Sequence, residues 1–75
     1  MIPDPNDPFT LVAQEFMARK GYEGVFPVEV EHLDGEPHCQ YFYYELDDSD
    51  LELEVSWNPK TGIWDTMVTA FKMVE

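Results

Sequence analysis

The sequence predicts an α+β domain in which one N-terminal helix packs on one face of a four-stranded antiparallel β-meander. An apolar stripe with the period of a helix lies near the start of the chain, and apolar and polar residues alternate with period two after it. The segments between the alternating stretches are short and rich in Asp, Gly, Pro and Asn, so consecutive strands are predicted to form antiparallel hairpins. The element order is therefore α-β-β-β-β, and residues 1–75 form a single domain.

The helix is predicted over residues 8–20. Asp7 can cap its free amide groups and Pro8 suits the first helical position. The apolar stripe consists of Phe9, Val12, Ala13, Phe16 and Met17. Gly21 follows the predicted helix as its terminating residue. Residues 1–7 carry two prolines and are expected to form an extended arm.

The four strands are predicted near residues 28–33, 38–45, 51–57 and 63–74. A four-residue turn at 34–37 would pair Leu33 with His38, and the turn before Ile63 would pair Trp57 with Trp64. One residue of slip moves every side chain of a strand to the other face, so these pairings require a connection after Glu45 that has odd length or contains a bulge. Residues 46–50 are predicted to supply it.

These pairings assign the two faces of the sheet. The face under the helix is predicted to hold Val28, Val30, Tyr41, Tyr43, Leu53, Val55, Trp57, Trp64, Val68 and Ala70. The opposite face is predicted to hold Glu29, Glu31, Phe42, Tyr44, Glu52, Glu54, Asp65, Met67 and Phe71. One helix covers one side of a sheet, so the second set is expected to be exposed, and exposed aromatic residues often mark a contact surface. Self-association or ordinary surface apolar area would explain the same pattern.

The charge pattern favours a basic partner. The formal net charge is −12, and no lysine or arginine occurs from Gly21 to Pro59. Asp47, Asp48 and Asp50 concentrate this charge after the second strand. Direct binding to nucleic acid or to an anionic membrane needs basic residues, so neither is predicted. The chain shows no signal-peptide pattern and no membrane-spanning run, and its single cysteine is typical of a reducing compartment, so a cytoplasmic location is expected.

No motif predicts catalysis, a metal or a cofactor. Asp48, Asp50 and Glu52 have the spacing that opens an EF-hand loop, but Leu53 replaces its glycine and Pro59 its last glutamate. His38 and Cys39 are neighbours on a strand and point to opposite faces, which disfavours a zinc site with His32. No serine lies in a triad-like context, and no glycine-rich loop could cradle phosphate. An enzyme is therefore not expected.

The sequence thus predicts a small non-enzymatic binding protein. Its acidic and aromatic face would occupy a basic surface of another protein, such as a nucleic-acid-binding groove or a basic toxin, as an inhibitor or immunity-type protein. The alternative is a homodimeric structural or regulatory module that uses the same face for self-association. The acidity could also serve only solubility.

Overall fold

The computed structural model describes residues 1–74 and confirms the α+β architecture with element order α-β-β-β-β. Helix α1 spans Pro8–Arg19, and the strands are β1 (Glu29–Glu31), β2 (Cys39–Glu45), β3 (Ser49–Asn58) and β4 (Ile63–Met73). The strands form one antiparallel sheet in the order β1-β2-β3-β4, and α1 contacts β2, β3 and β4.

Helix α1 has the ends that its sequence predicts. The Asp7 carboxylate accepts a hydrogen bond from the Phe9 amide at 2.8 Å, and Pro8 occupies the first turn, where its missing amide is not needed. Gly21 follows the helix with φ +93°, a conformation that only glycine adopts without strain. Local interactions therefore determine where the helix begins and ends, independently of its packing against the sheet.

The core lies between α1 and the side of the sheet that we call the helix face. Its buried apolar residues are Ala13, Met17, Val30, Phe42, Tyr44, Leu51, Leu53 and Val55. Gln14 ties the layers together, because its side chain accepts from the Tyr44 hydroxyl at 2.7 Å and donates to the Val25 carbonyl at 2.9 Å. The opposite, uncovered side is called the open face below.

The predicted pairing of β1 with β2 is wrong by one residue. The structure pairs Val30 with Phe42 and Glu31 with Tyr41. Two successive turns connect the strands, with hydrogen bonds from the Glu36 amide to the Leu33 carbonyl and from the Cys39 amide to the Glu36 carbonyl. A connection built from two turns has a different length from the single four-residue turn that was predicted, and this shifts the register.

The predicted odd-length connection after Glu45 is also wrong. Leu46 donates its amide to the Ser49 carbonyl at 2.8 Å, so Asp47 and Asp48 alone form a tight turn. The two errors cancel for β1 and β3, whose predicted faces are confirmed at Val30, Leu53 and Val55. Only in β2 do the two register errors move each side chain to the opposite face of the sheet from the one predicted.

Phe42 and Tyr44 therefore lie under α1, with exposed fractions of 0% and 1%, and not on the open face as predicted. Tyr41 and Tyr43 occupy the open face in their place, opposite Glu54 and Glu52. The sequence does not resolve this exchange by hydrophobicity, because β2 carries aromatic residues on both faces.

A bulge in β4 overturns the predicted positions of Ala70 and Phe71. The pairing of β3 with β4 begins as predicted at Trp57 and Trp64, but the register shifts by one residue between Glu52 and Leu53, where Thr69 is the extra residue. The Thr69 hydroxyl donates to the Glu52 carbonyl at 3.3 Å. Beyond the bulge, Ala70 lies on the open face, and Phe71 lies opposite Leu51 on the helix face.

The N-terminal residues lie along the outer edge of β1. The Val30 amide donates to the Met1 carbonyl at 2.9 Å, and Pro3 is buried. A turn closed by a hydrogen bond from the Asp7 amide to the Asp4 carbonyl then leads into α1. Within residues 1–74, no helix has the length and apolar character that crossing a membrane requires.

Candidate partner-binding face

The open face of the sheet is a regular array of acidic and phenolic side chains. It carries Glu29, Glu31, Cys39, Tyr41, Tyr43, Glu45, Asp50, Glu52, Glu54, Ser56, Asp65, Met67, Ala70 and Lys72. Seven of these residues are acidic, and Lys72 on the edge strand β4 is the basic residue among them. The face therefore combines strong negative potential with aromatic surface.

The cross-strand pairing arranges the central residues in two rows. Glu29 lies opposite Tyr43, which lies opposite Glu52. Glu31 lies opposite Tyr41, which lies opposite Glu54, in the next row. Adjacent strands are about 4.8 Å apart, so each tyrosine sits between two carboxylates whose backbones are about 10 Å apart.

The two tyrosines of the open face are neutral hydrogen-bond donors at physiological pH. Partial burial and the neighbouring Glu52 and Glu31 carboxylates raise the pKa of Tyr43 to about 12. Hydrogen bonding to the Cys39 thiol, partial burial and the Glu54 carboxylate raise the pKa of Tyr41 as well. Ionisation of either phenol would add a further negative charge beside existing ones, and this keeps both hydroxyl groups protonated.

Cys39 lies at the end of the open face and is not activated. Burial raises the pKa of its thiol, and the Glu54 and Glu36 carboxylates act in the same direction, whereas the hydrogen bond with Tyr41 opposes them. The thiolate is the nucleophilic form of cysteine, so this environment suppresses nucleophilic chemistry at neutral pH.

A shallow open depression of about 330 Å³ adjoins the Glu45 end of the open face. Tyr22, Val25 and Leu46 give it an apolar lining, and Glu45, Asp47 and Asp48 place carboxylates around it. The loop after α1 and the β2–β3 turn form its two sides. Its size and lining suit the aliphatic stem and charged end of a lysine or arginine side chain.

The structure brings most of the predicted contact residues together. The open face holds Glu29, Glu31, Asp50, Glu52, Glu54, Asp65 and Met67, and Asp47 and Asp48 lie exposed in the adjacent turn. Phe42, Tyr44 and Phe71 point to the other side. Tyr41, Tyr43 and Glu45 also lie on the open face, where the sequence did not predict them. Alternate residues of a strand point to the same side of the sheet, so Glu45 lies on the side of Tyr41 and Tyr43. The charge of Glu45 was the one sequence signal that these tyrosines face outward.

No group of three or more His, Cys, Asp or Glu side chains within residues 1–74 is arranged to hold a metal ion. The carboxylates of the open face are instead spread across four strands. Comparisons with protein-family models, with curated proteins and with solved structures find no match to this chain.

Proposed function

We propose that this protein is a non-enzymatic binding protein that docks its open face on a basic surface of a partner protein. The observation that carries the proposal is the pair of rows in which Tyr43 and Tyr41 each lie between two glutamates. A solubilising surface needs charge but has no need of aromatic side chains held between the charges. A contact surface uses both, because carboxylates steer the encounter and aromatic side chains supply lasting contact.

The spacing suits arginine and lysine side chains of the partner. A guanidinium group can stack on a tyrosine ring and bond to a flanking carboxylate at the same time. Carboxylates two residues apart on one strand, such as Glu52 and Glu54, are separated by about 6.8 Å along the backbone. A basic groove that normally holds nucleic-acid phosphates would meet a comparable series of negative charges. The protein would then act as an inhibitor or immunity-type protein by occupying that groove.

A reducing, cytoplasmic location belongs to the same proposal. The chain has a single cysteine, so it has no internal disulfide that would require an oxidising compartment. The alternative function, a homodimeric module formed through the open face, loses Phe42 and Tyr44 as contact residues because both are buried under α1. We therefore favour the basic partner for this face.

The test compares two double variants that change the net charge equally. Glu31→Lys with Glu54→Lys reverses the charges on both sides of Tyr41, whereas Glu23→Lys with Asp34→Lys reverses two exposed loop residues. An oligo-arginine peptide serves as the probe, and its binding to the isotope-labelled protein is followed by NMR at low salt. We expect the open-face variant to bind about tenfold more weakly than the loop variant, since each exposed ion pair contributes up to about 1 kcal/mol.

When the peptide is added to the wild-type protein, the amide signals of Tyr41, Tyr43 and their cross-strand neighbours should shift more than those of other residues. Equal weakening in both variants, or shifts scattered over all acidic loops, would show that the peptide responds only to net charge. The wild type and the same two variants are then used in affinity pull-downs from the native host. A partner fits the proposal when wild type and loop variant retain it, the open-face variant loses it, and raised salt releases it.

A further inference from the structure

Within residues 1–74, no strand pairs with the outer edge of β4. The sheet order places β4 beside β3 alone, and 11 residues of strand present their second row of backbone groups to solvent. Its large apolar residues are also exposed: Ile63 by 56%, Met67 by 55%, Val68 by 42%, Phe71 by 53% and Met73 by 59%. A long apolar edge of this kind is a template for pairing with another strand.

The opposite edge of the sheet is closed. Strand β1 has only three residues, and the Val30 amide on its outer side already donates to the Met1 carbonyl. With one free edge per molecule in the described sheet, pairing cannot continue from copy to copy. It would end at two molecules related by a two-fold axis.

The β4 edge is also poor in acidic residues. Of the 16 acidic residues, only Asp65 falls within residues 59–74, and that segment also holds Lys60 and Lys72. Pairing through the open face of a chain with net charge −12 would bring two acidic regions together. A second copy therefore meets less repulsion at β4 than at the open face.

The hydrogen bonds of the sheet show which backbone groups of β4 point outward after the bulge. Opposite residues in an antiparallel pair alternate between exchanging hydrogen bonds and exchanging none. The Val74 amide donates to the Asp48 carbonyl at 2.8 Å, so Val74 faces β3. By alternation, the amide and carbonyl groups of Phe71 and Met73 face away from the sheet.

The same alternation applies before the bulge. The Trp57 amide donates to the His38 carbonyl at 2.9 Å, so Trp57 turns its backbone groups toward β2. Its partner on β4, Trp64, therefore has no ladder bond to β3 and faces outward, as does Thr66 two residues later. Both halves of β4 thus offer donors and acceptors to a second strand.

From these observations we infer that two copies of the chain pair antiparallel through β4, with the two-fold axis between Val68 and Thr69. In this register, the outward groups of Thr66 meet those of Phe71 in the second copy. Asp65 then lies opposite Lys72 of the second copy, and the bulge places both side chains on the open face. Two identical ion pairs form, one on each side of the axis.

The register is specific because the charges select it. Among the described residues, neither Asp65 nor Lys72 takes part in an ion pair within one chain. Antiparallel registers displaced by two residues keep the backbone bonds but place Asp65 or Lys72 opposite uncharged side chains. The interface is a single strand pair with flanking side chains, so it lies at the small end of protein interfaces and the dimer should dissociate on dilution.

The experiment measures molecular mass by sedimentation and light scattering over a range of protein concentrations at moderate salt. The wild type should form dimers as concentration rises. Asp65→Lys and Lys72→Asp should each raise the dissociation constant about tenfold, because each creates two like-charge pairs across the strands. An equimolar mixture of the two variants should dimerise as well as the wild type, because every lysine then meets an aspartate.

The controls change net charge by the same amount elsewhere. Asp34→Lys matches Asp65→Lys, and Lys60→Asp matches Lys72→Asp, and both controls lie in exposed turns. Asp34→Lys lowers the net negative charge and should leave the dimer intact or tighten it slightly, which is opposite to the effect of Asp65→Lys. A wild type that stays monomeric at millimolar concentration, or a variant mixture that fails to recover dimerisation, overturns the proposed pairing.

Discussion

Tyr44 shows how one side chain can join three parts of a small fold. Its ring fills the core, and its hydroxyl donates to Gln14, which in turn donates to the Val25 carbonyl. Burial raises the pKa of this phenol. Helix, sheet and connecting loop are therefore linked by one hydrogen-bonded chain, in which each partly buried polar group has a partner.

Tyr43, on the other side of the same strand, provides a test of the open-face geometry. Its pKa is raised to about 12 by partial burial and by the Glu52 and Glu31 carboxylates. The folded state favours the neutral phenol relative to the unfolded chain, whose tyrosines ionise near 10. The stability from this residue is therefore complete below pH 10 and is lost as the pH rises toward 12.

We expect the ultraviolet absorbance of the Tyr43 phenolate to develop near pH 12, and the difference between the titrations of wild type and Tyr43→Phe isolates this residue. The free energy of unfolding of Tyr43→Phe should also decrease less steeply than that of the wild type as the pH rises above about 10. A Tyr43 transition near pH 10 would mean that the flanking carboxylates do not lie beside the phenol.

At the scale of elements, the sequence predicts most of this fold because each local signal has a physical cause. Asp7, Pro8 and Gly21 set the ends of α1, and the alternation in β3 sets its faces. The register of β2 could not be read in the same way. Hydrophobic patterning fixes register only where one face is clearly more apolar, and β2 carries Tyr41 and Tyr43 on one face with Phe42 and Tyr44 on the other.

The bulge at Thr69 marks a second limit of prediction. The extra residue has no positive φ, so the bulge does not require glycine, and the Thr69 hydroxyl donates a hydrogen bond to the Glu52 carbonyl. No residue type in β4 signals this. The sequence therefore predicts the open-face residues of β1 and β3 correctly, because acidic residues alternate strictly with apolar ones in these strands. It assigns the wrong residues of β2 and of the end of β4 to this face, because the register of both differs from the predicted one.

Strand β2 allows a direct comparison of its two faces by mutation. Phe42→Ala should destabilise the protein by about 3–5 kcal/mol, because it removes a fully buried ring and leaves a cavity under α1. Tyr41→Ala, on the open face one residue earlier, should lower the free energy of unfolding by no more than about 1 kcal/mol. Urea unfolding of both variants measures the difference. If Tyr41→Ala proved the more damaging, the faces of β2 would be reversed.

At the scale of the whole molecule, the two surfaces proposed as interfaces are separate and compatible. The open face carries most of the sheet's acidic residues, whereas the β4 edge is nearly neutral. Antiparallel pairing through β4 keeps the open faces of both copies on the same side of one continuous sheet. The dimer would present two tyrosine–glutamate arrays side by side to a basic partner.

The net charge of −12 makes stability depend on salt. The sheet places acidic residues of β1, β2 and β3 on the same face, and the chain has only four basic residues to compensate for them. Raising NaCl from about 10 mM to about 500 mM shortens the screening length from about 30 Å to below 10 Å, which weakens repulsion between neighbouring strands. The melting temperature should therefore rise with salt.

A single neutralisation on the open face tests the origin of this effect. Glu54→Gln removes one charge near Glu31, Glu52 and Asp65 and should raise the melting temperature at low salt by about 3 °C, a gain that disappears at high salt. Glu23→Gln changes net charge equally at an exposed position in the loop after α1, away from the array on the open face, and should give a smaller gain. Equal gains from both variants would locate the repulsion in the overall charge. A larger gain from Glu54→Gln would locate it on the open face, where a basic partner would relieve it on binding.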